Sequence, residues 1–331
     1  MSINQKKTQF MVINKSEKDK DCESIVSRGI NVKYCDSYIY LGAPITDNGS
    51  YLKMINAHAK DKMKHSIKYY AFLDRNPDVP FSMKKRVAEA CVLSSLLYGA
   101  ETWFTDSFGK AETMYNKVVK ALLDVRNTTC TDVCLVEADM ASFQSLVKHR
   151  MKKYLQKKIP KIDSEYPLWK AIELCRSADT ASFRFIQRVL DDETEVIKED
   201  KSSRVESLTA SESTKRMTYV SLNPTIQQHK VYKNDCLQEH KRKEFTRYRV
   251  SSHNLKVETG RWGRIERDNR VCICATGGIQ DEEHVIFYCE MTKNVREKFN
   301  IQSDSLPALY EEKDDETLCN IFFELSKIFA K

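Results

Sequence analysis

Short runs of apolar and β-branched residues alternate with polar ones over the first 46 positions of the chain. Residues 8–13, 30–35 and 38–41 each have the composition of a strand, and Asp47-Asn48-Gly49 is a turn signal. Three short strands are not stable alone. The pattern therefore predicts a small β-rich segment over residues 1–49 that packs against other elements.

From residue 50 onward, apolar residues recur at steps of three and four, which is typical of amphipathic helices. The first predicted helix has a stripe of Leu52, Ile55, Ala59, Met63, Ile67 and Tyr70. The second is predicted to start near Ser82 and to bury Met83, Val87, Ala90, Cys91, Ser94, Leu97 and Tyr98. Similar stripes predict a helix over residues 143–155 and a C-terminal amphipathic helix within 301–331.

Residues 191–215 break this pattern, since an acidic run is followed by a Ser/Thr-rich one. Such a composition buries little apolar surface, so we predict a disordered linker. The linker divides the chain into two helical regions before it, 50–130 and 131–190, and a basic segment after it, 216–260.

The composition supports a mainly helical protein. Only 9 glycines and 7 prolines occur in 331 residues, so we predict an α+β fold that is predominantly α-helical. The 11 cysteines are odd in number and irregular in spacing, which favours reduced thiols and a cytoplasmic or nuclear location. The longest run of small and apolar residues, 90–100, is too short to span a bilayer, so we predict no membrane partner.

One cluster of metal-ligand residue types stands out near the C-terminus. Cys272, Cys274, His284 and Cys289 follow a C-x-C-x9-H-x4-C pattern, and Gly277-Gly278 lies between the ligand pairs. Three thiolates and one imidazole complete a tetrahedral zinc shell without water, so the predicted site is structural. The alternative is that these are ordinary buried cysteines beside a surface histidine.

Clusters of basic residues suggest a nucleic-acid partner, RNA or DNA, because cations neutralise phosphates and aromatic rings stack on bases. Three cations near Ser82 lie in the first turn of a helix, where they oppose the helix dipole unless an anion docks there. The alternative is a set of solvated basic faces. The candidate nucleic-acid-binding residues are Lys60, Lys64, Lys84, Lys85, Arg86, Lys152, Lys153, Arg261, Trp262, Arg264 and Arg270.

Four segments also match the motifs of a known family. Residues 4–8 fit an N-x-x-K-T pattern, residues 40–45 read YLGAPI, and residues 95–103 read SLLYGAETW. Residues 249–289 contain a basic run and then the cysteine and histidine positions. In this order, the segments resemble the C-terminal part of a non-LTR (LINE-type, jockey-like) retrotransposon reverse transcriptase, an RNA-directed DNA polymerase.

The resemblance implies a role for each region. Residues 1–49 would be the end of the palm with the primer grip, 50–130 the thumb and 131–190 the connector. Residues 261–300 would be a CCHC zinc knuckle that binds element RNA or target DNA. Lys7 would be a remnant of the catalytic site, near the incoming nucleotide.

The family's paired Mg²⁺-binding aspartates, in an aromatic-x-Asp-Asp hairpin, would lie upstream of residue 1. Asp191-Asp192 and Asp314-Asp315 are better explained as solvated acidic runs. We therefore expect no polymerase activity from this chain alone, and Mg²⁺ only if a separate palm is supplied. The other interpretations are a host-adapted RNA- or DNA-binding module, half of a split polymerase that pairs with a separate palm, and a helical interaction protein.

Overall fold

The computed structural model describes residues 4, 8–13, 24–27, 29–161, 165–192 and 194–329. Helix takes 62% of the described residues and strand 7%, which confirms the predicted α+β, mainly helical class. Among the described helices, none is both long and apolar enough to cross a membrane.

Five short strands form two small sheets, and their bounds are β1 Gln9–Phe10, β2 Ser24–Ser27, β3 Ile30–Tyr34, β4 Ser37–Tyr40 and β5 Ala43–Thr46. In the first sheet, β3 pairs in parallel with β1 and antiparallel with β2. In the second, β4 and β5 form a hairpin in which Tyr38 lies opposite Ile45. The three predicted strands are confirmed, although β1 is much shorter than predicted. Strands β2 and β5 were missed; Pro44 lies within β5, and a proline usually argues against a strand.

The other regular elements of the described chain are helices. Their bounds are α1 Tyr51–Arg75, α2 Phe81–Val87, α3 Ser94–Leu96, α4 Gly109–Leu122, α5 Thr131–Ala138, α6 Phe143–Lys157, α7 Pro167–Ser177, α8 Ala181–Asp191, α9 Val196–Thr209, α10 Thr214–Leu222, α11 Glu239–Arg249, α12 Lys256–Trp262, α13 Lys293–Lys298, α14 Leu306–Glu312 and α15 Asp315–Ile328. A π-helical turn over Ala88–Leu93 connects α2 to α3.

The chain forms two compact units. The first unit contains Met1–Ile67, Val92–Tyr115 and Phe143–Ile197, and the second contains Lys68–Cys91, Asn116–Ser142 and Lys198–Lys331. Each unit draws on segments that are distant in sequence, so the boundaries differ from a simple division along the chain.

An aromatic cluster forms the core of the first unit. The ring centroids of Phe108 and Tyr115 lie 5.6 Å and 5.5 Å from that of Phe143, on α6. Trp103 is buried beside them, and the ring of His58 meets it edge-on at 5.4 Å. His58 Nε2 lies 3.0 Å from the carbonyl oxygen of Leu96. The tryptophan of the SLLYGAETW segment is therefore a core residue.

The buried stripe predicted for the second helix is wrong in phase at most positions, although Leu97 is buried as predicted. The buried positions are Phe81, Lys84, Ala88, Val92, Leu93, Leu96 and Leu97, whereas Met83 and Tyr98 are about half exposed. The predicted stripe assumed uninterrupted α-helical spacing, and the π-helical turn adds residues to one turn. Lys84 was predicted to be a surface cation, but the ammonium of Lys84 is buried in an ion pair with Glu239.

In the second unit, α11 packs against α15. The ring centroids of Tyr248 and Phe322 lie 4.9 Å apart, and Cys272 and Cys289 belong to the same hydrophobic core. The predicted C-terminal helix is confirmed. Asp314 caps it by accepting hydrogen bonds from the backbone N–H groups of Glu316 and Thr317. Its carboxylate therefore caps the N-terminus of α15, where the helix dipole favours a negative charge.

The predicted disordered linker over residues 191–215 is wrong, because α9 occupies most of it. Leu208 is buried in a small core with Val133, Val136, Tyr219, Ile226 and Val250. Arg204, also buried, pairs with Asp200, whose carboxylate accepts the backbone N–H of Ser142. Buried contacts that Leu208 and Arg204 make therefore order this stretch, although most of its residues are polar.

Candidate metal centre and basic surfaces

The metal-ligand candidates lie on a tight turn and a short helical turn. The backbone N–H of Cys272 donates to the carbonyl oxygen of Gly278 at 2.7 Å, and Val271 pairs with Ile279. Gly277 has φ +66, a conformation that glycine adopts without steric cost. Cys272 and Cys274 lie on this turn. His284 begins a π-helical turn, His284–Tyr288, and Cys289 follows its end.

The four side chains converge. Their ligand atoms all lie within 4.8 Å of one another. The sulfur of Cys272 lies 3.7 Å from that of Cys289, and the sulfur of Cys274 lies 3.3 Å from His284 Nε2. Cys272, Cys289 and His284 are buried, whereas Cys274 is partly buried. The structure confirms that these residues form a cluster that can bind a metal ion.

Neighbouring groups hold the ligands in place. Gln280 donates a side-chain N–H toward the sulfur of Cys272 at 3.6 Å, and Asp281 accepts the backbone N–H of His284 at 3.0 Å. Thr292 Oγ1 donates to the carbonyl oxygen of Val285 and lies 3.0 Å from that of Cys289. Such supporting contacts orient metal ligands before the ion binds.

The thiols differ in their electrostatic surroundings. Burial alone would raise the pKa of the Cys274 thiol, but hydrogen bonds involving Thr276, Cys272 and His284 lower it to about 6. Burial and the neighbouring sulfurs raise the pKa of Cys289 to about 12. A bound cation would stabilise the thiolate form of all three cysteines, since the thiolate is the metal ligand.

The close packing of Gly278 against the histidine ligand yields a prediction. A Cβ atom at this position would lie 2.7 Å from His284 Nδ1, closer than atoms can approach. We expect Gly278→Ala to displace the imidazole and to weaken metal binding by about 10- to 100-fold, as for loss of a supporting contact. Competition with a chromogenic chelator measures this affinity. Gly263→Ala is the matched control, because its Cβ would lie 3.4 Å from Ile265. Equal affinities of the two variants would contradict the assignment of His284 as a ligand.

An arginine-rich loop, residues 261–270, precedes the metal cluster. Arg261, Trp262 and Arg264 are exposed, with 61% of Trp262 accessible. The guanidinium of Arg126 lies 4.5 Å from the centroid of the Trp262 ring. The sequence gives no signal for this contact, because Arg126 is far from the loop along the chain.

Arg270 holds this loop together instead of facing outward. Its guanidinium donates to the carbonyl oxygen of Ile265 at 2.6 and 2.9 Å and to that of Val257 at 2.7 Å. A side chain at Gly260 would meet it at 2.8 Å, so the glycine makes room for the arginine. The guanidinium of Arg270 is therefore engaged within the protein, and its part in nucleic-acid binding stays a prediction.

The anion at the start of α2 is a carboxylate of the protein itself. Glu239 Oε1 accepts the backbone N–H of Phe81 at 3.0 Å, and Oε2 lies 3.1 Å from the ammonium of Lys84. Arg242 pairs with the same carboxylate. Burial, together with the nearby charges of Lys243 and Arg242, lowers the pKa of Lys84 to about 8. The prediction that a phosphate docks on Lys84 is wrong, because Glu239 occupies that position.

The remaining basic candidates fall into two groups. Lys85 donates to the carbonyl oxygen of Asp139, and Lys152 donates to those of Asp192 and Thr194, so both ammonium groups have internal partners. The exposed candidates are Lys60, Lys64, Arg86 and Lys153. Of these, Lys64 lies 3.6 Å from Asp61. Lys7 lies outside the described residues.

The paired aspartates hold structural positions. Asp192, at the end of α8, accepts hydrogen bonds from the backbone and hydroxyl of Thr194. Asp314 caps α15, and Asp315 pairs with Lys230 at 3.5 Å.

Comparison with protein-family models, with curated proteins and with solved structures finds no match to this chain.

Proposed function

We propose that this chain is a nucleic-acid-binding protein whose C-terminal part is stabilised by a structural zinc ion, as its resemblance to the C-terminal part of non-LTR reverse transcriptases implies. The alternatives from the same resemblance, a host-adapted module and half of a split polymerase, share this binding activity. The observation that carries the proposal is the exposure of Arg261, Trp262 and Arg264 in the loop that precedes the metal cluster along the chain.

The donor set supports zinc among the metals. Three sulfurs and one imidazole nitrogen are the ligands of closed, tetrahedral zinc sites, whereas magnesium and calcium prefer oxygen. No carboxylate belongs to the described cluster. Because Cys272 and Cys289 lie in the core beneath α15, the ion would join the turn at Cys272 to the helices of the second unit.

The arrangement of the loop supports nucleic acid as the partner. Arg126 packs against one face of Trp262 and leaves most of the indole accessible. An indole beside a guanidinium presents a platform on which a base stacks, and flanking cations contact the phosphates. Arg261 pairs with Glu258 at 3.4 Å, whereas Arg264 has no acidic partner within the described part of the chain, so the charge of Arg264 is free to bind an anion.

The test is binding of a fluorescein-labelled single-stranded 20-mer, as RNA and as DNA, by the full zinc-loaded chain. Loss of one stacking contact costs about 1–3 kcal/mol, so we expect Trp262→Ala to weaken binding by about 5- to 150-fold. Leu174→Ala is the control, because Leu174 is a similarly exposed apolar residue (69%) outside the loop. If the wild-type chain binds neither 20-mer at low salt, the proposal fails.

A further inference from the structure

A basic groove, which we define by its lining, runs along the last turns of α6 in the first unit and has a volume of about 570 Å³. A short 3₁₀ turn, Ile159–Lys161, follows α6 and contributes Lys161 to the lining. The groove is lined by Glu101, His149, Arg150, Lys153, Tyr154, Lys157, Lys158 and Lys161. It lies apart in sequence from the arginine-rich loop, which belongs to the second unit.

Between residues 140 and 162 the sequence contains seven lysines and arginines and no acid. In the structure, some of these cations have partners within the protein and others do not. Lys148 pairs with Asp106, Arg150 donates to the carbonyl oxygen of Leu97, and Lys152 is held by backbone oxygens. The charged groups of these three side chains therefore have partners within the protein.

Four lysines of the groove have no such partner. Lys153, Lys157, Lys158 and Lys161 make no ion pair or side-chain hydrogen bond with any described residue. Glu101 is the single acid of the lining. Like charges one helical turn apart, such as Lys153 and Lys157, destabilise a helix by a few tenths of a kcal/mol. Uncompensated cations concentrated in one groove form an attractive site for an extended polyanion.

We propose that the basic groove is a second nucleic-acid site that binds the phosphate backbone of a single strand. Tyr154 shares the groove wall with the lysines and offers a ring to an unpaired base. A cationic groove with an aromatic wall is the arrangement that holds single strands without sequence readout. This inference rests on the proposed function, and it adds a site that binds independently of the metal cluster.

The experiment compares two triple variants of the full, zinc-loaded chain. The first replaces three lysines of the groove, as Lys153→Ala, Lys157→Ala and Lys158→Ala. All three are exposed, and alanine favours helix, so α6 is expected to remain folded. The control replaces three exposed lysines of α4 and α7, as Lys110→Ala, Lys117→Ala and Lys170→Ala. Both variants lose three positive charges from exposed positions, and of the six lysines Lys170 alone pairs with a described acid, Glu165.

Binding of a labelled single-stranded dT 20-mer is measured over a range of salt concentrations. Each phosphate contact on a single strand contributes about 0.7 to the slope of log affinity against log salt. We expect the groove variant to lose about 2 from this slope and to bind at least about 10-fold more weakly at low salt. The control variant is expected to keep the wild-type slope.

Other outcomes overturn the inference. Equal losses in the two triple variants would show that only total charge matters. Binding that depends on Trp262 but is unchanged in the groove variant would leave the proposed function standing and remove the second site. Equal affinity for a 20-base-pair duplex would contradict the single-strand assignment. Binding of anionic lipid vesicles without binding of either nucleic acid would identify a membrane surface as the partner. If the wild-type chain binds none of these probes, the proposed function fails as well.

Discussion

The double variant Cys272→Ser, Cys289→Ser is expected to lose its metal and to unfold the region around the cluster. Both sulfurs lie in the core that α11 and α15 share. In zinc-finger peptides, structural zinc contributes about 10–16 kcal/mol to folding. Here other buried residues support the second unit, so we expect a partial loss. Hydrogen exchange should accelerate over residues 271–292, and the Tm should fall by on the order of 10 °C or more.

The matched control for this variant uses cysteines that are not ligands. Cys91 and Cys236 are exposed, so Cys91→Ser, Cys236→Ser should keep the wild-type Tm and bind one metal ion per chain. Native mass spectrometry gives the stoichiometry. If the Cys272→Ser, Cys289→Ser variant kept both the metal and the wild-type exchange pattern, the metal centre would be misassigned.

The second large effect is expected at a buried ion pair. Arg249 Nε lies 2.8 Å from Glu137 Oε1, and the two side chains are 1% and 0% exposed. Tyr219 donates its hydroxyl to the same oxygen at 2.7 Å. Glu137→Ala would leave the guanidinium buried without a counterion. We expect this variant to lower the free energy of unfolding by about 3–5 kcal/mol, measured by urea denaturation.

Two further variants test whether the unpaired buried charge causes this loss of stability. Glu206→Ala removes an exposed carboxylate from α9 and should change stability by no more than about 0.5 kcal/mol. Glu137→Leu, Arg249→Leu removes both charges, and it should be more stable than Glu137→Ala because no charge is left unpaired. If Glu137→Ala were as stable as Glu206→Ala, the buried pair would not contribute as described.

The sequence predicted the features that depend on local spacing. The C-x-C-x9-H-x4-C pattern identified the four residues that converge, and the apolar periodicity within residues 301–331 identified α15. These predictions hold because helical periodicity and metal-ligand spacing are local properties of the chain.

The errors arise where distant segments meet. A cation in the first turn of α2 suggested a bound phosphate, but the anion there is Glu239, far along the chain. Arg270 has the sequence context of a surface arginine, but the carbonyl oxygens of Val257 and Ile265 engage its guanidinium. Helix α9 was missed because Leu208 is covered by residues from other helices. Nothing in the local sequence distinguishes such cations and apolar residues from exposed ones.

Nucleic-acid binding by one protein preparation, measured before and after its metal is removed, tests whether a metal ion stabilises the binding surface. A labelled single-stranded 20-mer is titrated with the zinc-loaded chain, with the chelated chain, and with the chelated chain after addition of one equivalent of Zn²⁺. We expect chelation to weaken binding by about 5-fold or more, because Trp262 and its flanking arginines lose their support, and zinc to restore it. Equal affinity in all three states would contradict a metal-stabilised nucleic-acid-binding surface.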